Sequence, residues 1–506
     1  MSSLILAHDL GTTGNKASLF DPSGALLASA TCSYETAYPR ASWAEQDPAD
    51  WCDAVANSTR LLLSQNAVTP DDVAVISFSG QMMGCLPVDA AGNPLRSAII
   101  WADQRAGAQA ERLAQALTAE RVYRITGHRA SASYTASKIL WLRQHQPDIF
   151  RQTRRFLQAK DYAVFRLTGA YATDYSDASG TNLFDLQERR WSDEILQALE
   201  LSPDLLPPAV PSSTVVGHVT PTAARETGLR MGTPVVIGGG DGACATAGAG
   251  VVGLHDAYCY IGSSSWIAFV SPDPLYDPLQ RTFTFAHLDP AYLFPTGTMQ
   301  CAGGSFDWLE RLLRGDADER QYARLDALAS QVEPGAGGLL FLPYLIGERS
   351  PHWNPKARGS FVGLTMAHGR AEMARAVLEG VALNLRIILD AFRQQGAPIR
   401  DLRVIGGGAR SALWRQILAD VLDLPLLRAQ LTVEATSLGA AVAGGVGVGL
   451  FEGYDVVNHL VKVEPAEAPR PDVSRRYGDL YGLFNDAYGA LAPLYDRIAD
   501  FSEERA

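Results

Sequence analysis

The feature that most constrains the fold is a strand–loop–strand unit that occurs twice, once at the start of the chain and once near its middle. The first unit, Leu4 to Asp21, has two apolar runs around a loop of glycine and threonine. The second, Asp256 to Ser271, has two apolar runs around a loop of glycine and serine. Short apolar runs on either side of small turn-forming residues predict paired β-strands. The chain is therefore expected to contain two lobes that begin alike.

Length and periodicity extend this prediction. A chain of 506 residues is too long for a single core, because hydrophobic cores stop growing at about 250–300 residues. Segments with strand character alternate with segments of helical spacing, which indicates an α/β fold. Aromatic and leucine side chains recur at helical spacing from Ser474 to Asp500, and this pattern predicts a C-terminal helix packed against the core.

Charge and cysteine content exclude several classes of partner. The formal net charge of −12 opposes binding to nucleic acid or an anionic membrane. The six cysteines show no C-x-x-C spacing and are too few to cross-link the chain, so we expect reduced thiols in a cytoplasmic protein. No signal peptide is expected, because no basic region precedes the first apolar run. The apolar stretch from Leu438 to Phe451 is too short to span a membrane, and its glycines predict a closely packed helix.

The two loops have the composition of phosphate-binding turns. Small residues at 11–14 and at 262–264 allow successive backbone N–H groups to point into one concavity. Phosphates held there need their charge offset, and Asp9 could do this by holding Mg²⁺ through water, since Mg²⁺ prefers oxygen ligands and retains most of its hydration. The alternative is that Asp9 only initiates the turn.

A carboxylate follows three glycines in the segment GGGDGACATAG, residues 238–248. The glycines let a substrate approach Asp241 closely, and an aspartate in this position could accept a proton from an attacking hydroxyl. The alternative is that Asp241 caps the following helix. The nearby sequence GAGVVG, residues 248–253, fits G-x-G-x-x-G but follows a predicted helix rather than a strand, so it does not indicate a dinucleotide site.

A second glycine turn, VIGGGAR at residues 404–410, joins a predicted strand to a predicted helix that Ser411 caps. Bare backbone at Gly407 and Gly408 would let an adenine ring approach. An ordinary turn that requires glycine is the alternative.

Two longer patterns show a resemblance to the FGGY carbohydrate kinases, which belong to the superfamily of hexokinase, actin and heat-shock chaperone ATPases. They are SYTASKILWLRQH, residues 133–145, and GSFVGLTMAHGRAEMARAVLE, residues 359–379. The resemblance covers nearly the whole chain. It implies two actin-like (ribonuclease H-like) lobes with a cleft between them, the first over residues 1–250 with the sugar site and the base, the second over residues 251–506 with the ATP site.

The resemblance also assigns roles to residues. Asp241 would be the catalytic base, and Asp9 and Asp241 would hold Mg²⁺. The residues implied to bind the sugar are Met82, Met83, Trp101, Asp103 and Asp241. Those implied to bind ATP are Gly11, Thr12, Thr13, Lys16, Gly262, Ser263 and Ser264 at the phosphates, and Gly407, Gly408 and Ala409 at the adenosine.

Within the family, the segments WAEQDPADW, SDASGT and GQMMG resemble members that phosphorylate O5 of a ketopentose, D-xylulose. Three positions depart from that pattern: Met83 replaces the usual histidine, Gly242 the usual asparagine and Ala102 the usual asparagine. The alternatives are a family kinase for ribulose, gluconate, an alditol or a deoxy sugar, a nucleotide-driven conformational protein without a sugar acceptor, and a sugar sensor that has lost catalysis. The sequence leaves the number of subunits open, with a homodimer as one alternative.

Overall fold

Two β-sheets of seven strands each organise the molecule, one from each half of the chain. The computed structural model describes residues 3–40, 42–65, 68–314, 322–429 and 435–503. Helices pack against the faces of both sheets and enclose the hydrophobic cores.

The first half supplies fifteen of the described strands and ten of the described α-helices. Its strands are β1 (Leu4–Leu10), β2 (Gly14–Phe20), β3 (Leu26–Ser33), β4 (Glu45–Gln46), β5 (Val73–Gly80), β6 (Leu86–Val88), β7 (Ala98–Ile99), β8 (Arg155–Leu157), β9 (Thr173–Asp174), β10 (Phe184–Asp185), β11 (Arg190–Trp191), β12 (Ala209–Val210), β13 (Val215–His218), β14 (Pro234–Val236) and β15 (Gly239–Gly240). Its helices are α1 (Pro48–Gln65), α2 (Gly107–Leu117), α3 (Ala119–Thr126), α4 (Thr135–His145), α5 (Pro147–Gln152), α6 (Ala159–Thr168), α7 (Tyr175–Ser179), α8 (Asp193–Ala198), α9 (Pro221–Thr227) and α10 (Asp241–Gly248).

The second half contains fewer and longer elements. Its strands are β16 (Ala257–Ile261), β17 (Ser265–Phe269), β18 (Phe283–Ala286), β19 (Leu293–Met299), β20 (Leu340–Leu342), β21 (Ser360–Val362), β22 (Leu402–Ile405), β23 (Leu426–Ala429) and β24 (Val463–Pro465). Its helices are α11 (Gly303–Arg314), α12 (Tyr322–Ala329), α13 (Arg370–Gln394), α14 (Ala412–Leu422), α15 (Ala435–Gly447), α16 (Val457–Leu460) and α17 (Pro471–Glu503).

Five consecutive strands in each of the two sheets have the same order and direction. In the first sheet β3, β2 and β1 pair in antiparallel fashion, and β5 and β14 continue in parallel with β1. In the second sheet β19, β17 and β16 pair in antiparallel fashion, and β22 and β23 continue in parallel with β16. The predicted repetition of the opening unit is therefore confirmed, and it extends to five consecutive strands of each sheet.

Two helices, α10 and α15, join the halves. They cross with their backbones in contact: a Cβ atom on Gly439 would lie 2.0 Å from the Cys244 carbonyl oxygen, so only glycine fits there. Helix α15 also lies on the first sheet, where a Cβ on Gly444 would approach the Ser77 side chain at 2.8 Å. Helix α10 contacts the second sheet through the hydroxyl pair Thr246–Tyr258 at 2.9 Å. The two helices therefore fix one sheet relative to the other.

Several further elements form where local sequence patterns predict them. Ser411 caps α14 by accepting a hydrogen bond from the Trp414 N–H, as predicted. The predicted C-terminal helix corresponds to α17, which buries Tyr477, Phe484 and Tyr495. The small-residue stretch predicted to be a packed helix forms α15, and no helix in the described ranges is both long enough and apolar enough to cross a membrane. The domain boundary at residue 250 stays a prediction.

Candidate active site

Asp9 and Asp241 approach each other at the carboxyl end of the parallel strands in the first sheet. Asp9 on β1 lies opposite Ser79 on β5, and Ser79 lies opposite Gly239 on β15. Helix α10 begins two residues after Gly239, at Asp241. The Ser79 hydroxyl donates a hydrogen bond of 2.9 Å to Asp9 Oδ1. Three adjacent strand ends therefore bring two carboxylates and a hydroxyl together.

The environment of Asp241 favours its protonated form. The Asp241 side chain is exposed at the surface. Many protein atoms nevertheless surround its carboxyl group and reduce its contact with bulk water. Desolvation, and then the negative charge of Asp9, raise the pKa of the Asp241 carboxyl to about 7, and a hydrogen bond from the Gly242 N–H acts in the opposite direction. The helix N-cap is Gly240, without a side-chain hydrogen bond, so Asp241 does not serve as the cap. Perturbed carboxyl groups of this kind are typical of functional sites.

In the loop between β1 and β2, hydrogen bonds to two carbonyl groups orient the N–H groups of Thr12 and Thr13, whereas the Gly11 N–H is bonded to the Gly14 carbonyl. The Thr12 carbonyl accepts a hydrogen bond from Gln46 Nε2 at 2.7 Å, and the Gly11 carbonyl accepts one from the Tyr34 hydroxyl. In a trans peptide the N–H points opposite to the C=O. The N–H groups of Thr12 and Thr13 therefore face away from these partners, as a phosphate-binding turn requires.

The loop between β16 and β17 has the same arrangement. Its carbonyl groups at Gly262 and Ser263 accept hydrogen bonds of 2.8–3.0 Å from the backbone N–H groups of residues 302–304, at the start of α11. The N–H groups of Ser263 and Ser264 consequently point to the opposite side. Both loops were predicted to contact phosphates, and the two are built alike.

Lys16 lies opposite Asp9 in the β1–β2 pair and is half-buried. This position places a cation directly beside the first loop, where it was predicted to contribute to phosphate binding. The two lysines described below, Lys138 and Lys160, are by contrast fully buried.

The predicted sugar segment, residues 80–84, leaves the end of β5 directly beside Asp9. Met82 and Met83 are almost completely buried. A Cβ on Gly240 would lie 2.6 Å from Met82 Sδ, so the thioether supports the backbone just before Asp241. Met83 has a φ of +65°, and Lys138 donates hydrogen bonds of 2.7 Å to its carbonyl and 2.6 Å to that of Ser133. Burial lowers the pKa of Lys138 to about 7.

Trp101 and Asp103 occupy different environments. The Trp101 side chain is 36 % exposed, and its Nε1 donates a hydrogen bond of 3.0 Å to the Thr12 hydroxyl. Asp103 is fully buried; its carboxylate accepts hydrogen bonds from the Ala44 N–H and from the Arg105 backbone and guanidinium. The predicted direct contact between Asp103 and a sugar therefore finds no open oxygen in this arrangement.

The predicted adenosine turn is only partly open. A Cβ added to Gly407 would meet nothing within 4 Å, whereas one on Gly408 would lie 2.4 Å from Ile261 Cγ2. Ala409 is buried, and its carbonyl accepts a hydrogen bond from Arg415 Nη1. Of the three predicted residues, Gly407 presents the bare backbone that an aromatic base could approach.

A buried ion network that the sequence did not reveal lies beneath this site. Lys160 Nζ lies 2.8 Å from Asp161, 3.1 Å from Asp174 and 3.1 Å from Asp177, and all four side chains are buried. Asp174 accepts a hydrogen bond from the Ser176 hydroxyl, which accepts one of 2.9 Å from the Gly240 N–H. The network therefore fixes the peptide that precedes Asp241. Its only signal in the sequence is a lysine and three aspartates within 18 residues, which is common on protein surfaces.

A divalent cation fits the two carboxylates as a partially hydrated ion. Within the described residues no group of three or more acidic, histidine or cysteine side chains could hold a metal alone. The Asp9 charge already raises the pKa of Asp241, so a cation near both groups would be stabilised by them. Mg²⁺ tolerates such a sparse donor set because it binds through few carboxylates and completes its shell with water and phosphate oxygens.

The comparisons with known proteins agree with this architecture. Residues 4–248 match the N-terminal domain and residues 257–448 the C-terminal domain of the FGGY family of carbohydrate kinases. The xylulose kinase of Escherichia coli is 38% identical over 418 residues, 83% of this chain and 84% of its own. The gluconokinase of Bacillus licheniformis is 32% identical over 510 residues, 99% of this chain and 98% of its own.

A solved structure extends the comparison to the fold. The xylulose kinase of Rhodospirillum rubrum superposes with a TM-score of 0.90 at 31% identity, covering 97% of this chain and 100% of its own. The predicted pair of actin-like lobes is thus confirmed. The chain belongs to the FGGY family of carbohydrate kinases and is an ATP-dependent carbohydrate kinase.

Proposed function

We propose that this kinase phosphorylates D-xylulose at O5 and that Asp241 is its base. The observation that carries the proposal is the approach of Asp241 to Asp9 beside a loop whose N–H groups face outward. The sequence segments resembling the D-xylulose members of the family support the substrate. Identity alone does not choose between the two acceptors: one xylulose kinase is 38% identical over 83% of this chain, but at nearly full coverage a xylulose kinase and a gluconokinase are both 32% identical.

In the proposed reaction, the sugar oxygen attacks the γ-phosphorus of ATP and its proton passes to a carboxylate oxygen of Asp241. ADP is the leaving group, and the N–H groups of Thr12, Thr13, Ser263 and Ser264 hold the phosphates. A weak base suffices, because phosphoryl transfer proceeds through a loose transition state in which positioning matters more than basicity. A pKa near 7 nonetheless makes this carboxylate a better proton acceptor than an ordinary aspartate.

Mg²⁺ is the proposed metal, held near Asp9 and Asp241. When bound, it neutralises charge on the transferring phosphoryl group and the leaving phosphates. Ser79 orients Asp9 for this role by donating to Oδ1. A homodimer and a cytoplasmic location complete the proposal.

One of the three departures from the D-xylulose pattern, Gly242, lies beside the proposed base and bears on substrate specificity. Gly242 is half-buried, and a Cβ there would lie 3.7 Å from the Phe294 ring and 3.9 Å from Met82 Sδ. These are ordinary contacts, so the missing side chain reflects no steric demand. It leaves space beside Asp241 where related kinases have a hydrogen-bonding group, and such groups discriminate strongly among substrates.

A panel of acceptors tests the substrate. Initial rates of ADP formation with D-xylulose, D-ribulose, gluconate, an alditol and a deoxy sugar are expected to give the highest kcat/KM with D-xylulose, by about 10²-fold or more. Phosphorus NMR of the product should identify the 5-phosphate. A higher kcat/KM with gluconate would assign the chain to that acceptor, and ATP hydrolysis that no sugar changes would favour the nucleotide-driven alternative.

The pKa of Asp241 predicts the pH dependence. With both substrates well below saturation, the rate reports the free enzyme, so kcat/KM should fall about tenfold per pH unit below about 7 as Asp241 gains its proton. Because the Asp9 charge contributes to the raised pKa, Asp9→Asn should move this acid limb to lower pH. ATP also titrates near neutrality, but its pKa cannot respond to the substitution. An unmoved limb would contradict the assignment.

A further inference from the structure

Gln46, which is not among the residues predicted to bind a substrate, makes four side-chain hydrogen bonds. It lies at the end of β4, and the residue is 2 % exposed. Its Nε2 donates to the Thr12 carbonyl at 2.7 Å and to the Thr36 hydroxyl at 2.8 Å. Its Oε1 accepts from Trp51 Nε1 at 2.9 Å and from Gln81 Nε2 at 2.7 Å. Both amide hydrogens and both lone pairs are used, so the orientation of the side chain is fixed.

The partners of Gln46 belong to two different parts of the site. Thr12 is in the loop proposed to bind phosphate, and Gln81 directly precedes Met82 in the segment proposed to face the sugar. Gln81 also donates to the Gly11 carbonyl at 3.3 Å. One buried amide therefore joins the phosphate loop to the sugar segment. Trp101 adds a second connection, because its Nε1 donates to the Thr12 hydroxyl.

The bond to the Thr12 carbonyl has a direct consequence for the loop. The peptide that carries this carbonyl also carries the Thr13 N–H, which points the opposite way. If the carbonyl lost its donor, the peptide could rotate and the Thr13 N–H would turn from the phosphate side. The Thr36 hydroxyl, at 3.5 Å from the same carbonyl, is too distant to replace the amide.

We propose that Gln46 is a positioning residue that aligns the first loop for the phosphates of ATP and couples that alignment to the sugar segment. The inference rests on the proposed function, since it takes the loop to be the phosphate site. It predicts that loss of the amide weakens ATP binding more than sugar binding. Gln46 donates a hydrogen bond directly to the phosphate loop, whereas it only accepts one from Gln81 in the sugar segment. The inference also predicts that a bound sugar and ATP influence each other's affinity through this amide.

Gln46→Glu isolates the donor function. The ionised carboxylate has the same shape and still accepts from Trp51 and Gln81, but it cannot donate to Thr12 and places an oxygen against that carbonyl. Because burial favours the protonated carboxyl, which could still donate, the titration is carried out at pH 9. Titration calorimetry of MgATP without sugar should show a Kd raised about tenfold, the equivalent of one strong hydrogen bond. The Kd for D-xylulose should stay within about twofold. With a non-hydrolysable ATP analogue in place of ATP, so that no phosphoryl transfer occurs, the change in nucleotide affinity that D-xylulose causes in the unmodified enzyme should shrink in the variant.

Thr36→Val is the matched control, because it removes the other acceptor of the same amide and leaves Thr12 its donor; its ATP affinity should match that of the unmodified enzyme. Gln46→Met, which cannot donate in any protonation state, is measured beside Gln46→Glu with the same expected direction, and it replaces that variant if the latter does not fold. Unchanged ATP affinity, or an equal loss for ATP and sugar, would overturn the inference. The calorimetry requires no turnover, so an unmodified enzyme that binds MgATP but phosphorylates no D-xylulose would contradict the proposed function and not this one.

Discussion

Replacing Asp241 by asparagine is expected to lower kcat by about 10³-fold or more, while D-xylulose still binds. The substitution keeps the shape of the side chain and its acceptor oxygen for the Gly242 N–H, but removes the group that takes the proton. General-base catalysis contributes about 10²–10⁴-fold, and the loss of a charge near Mg²⁺ adds to that. The rate of ADP formation at saturating substrates measures kcat, and titration calorimetry measures sugar binding.

Asp256→Asn provides the control for the loss of an aspartate near α10. Asp256 pairs with Arg403 at 3.0 Å and lies outside the proposed machinery, so kcat should remain within about twofold. The binding measurement separates chemistry from folding: an Asp241→Asn enzyme that binds sugar normally and turns over within tenfold of the unmodified enzyme would remove Asp241 from the mechanism.

The parts of the site that the sequence predicted are those encoded by local pattern. The β1–β2 and β16–β17 turns could be located because glycine and small hydroxyl residues between short apolar runs predict paired strands; their role as phosphate sites stays a prediction. Asp241 could be selected as a candidate because glycines precede it at the end of a strand; its role as the base stays a prediction. In each case the physical requirement, a tight turn or a close approach, acts on neighbouring residues.

The residues that hold these loops in place could not be predicted in the same way. Gln46, Tyr34 and Lys138 bond to backbone carbonyls of the site that are 23 or more residues distant in the sequence. Their other bonds, such as Gln46 to Trp51 and Lys138 to Ser133, are local, and nothing in the immediate surroundings indicates the distant contact. Asp103 shows the converse: the motif suggested a sugar ligand, whereas the fold supplies Arg105 and Ala44 as partners that nothing near it in the motif indicated. Long-range pairing of buried polar groups is a property of the three-dimensional arrangement, and periodicity carries no information about it.

The buried network beneath Asp241 leads to the largest expected effect on stability. Lys160→Met should destabilise the protein by about 3–5 kcal/mol, because it leaves buried carboxylates without their cation. Burial lowers the pKa of Lys160, but the three aspartates outweigh this and raise it well above its usual value, while burial raises the pKa of Asp161 and of Asp177. Without the lysine these carboxyl pKa values rise further above those of the unfolded chain. The native state then binds more protons than the unfolded state above about pH 4, so the destabilisation should grow as pH rises from 5 to 7.

Lys138→Met is the matched control for this prediction, since Lys138 is equally buried but donates to the carbonyls of Met83 and Ser133. Losing those two bonds should cost about 1–3 kcal/mol. Its pKa is lowered to about 7, so between pH 5 and 6.5 both the native and the unfolded chain hold the proton and the cost should not vary with pH. Denaturant unfolding of both variants across this range measures the difference. Equal and pH-independent losses would show that the three aspartates do not depend on Lys160, and the peptide before Asp241 would then be held by Ser176 and Asp174 without the help of a buried cation.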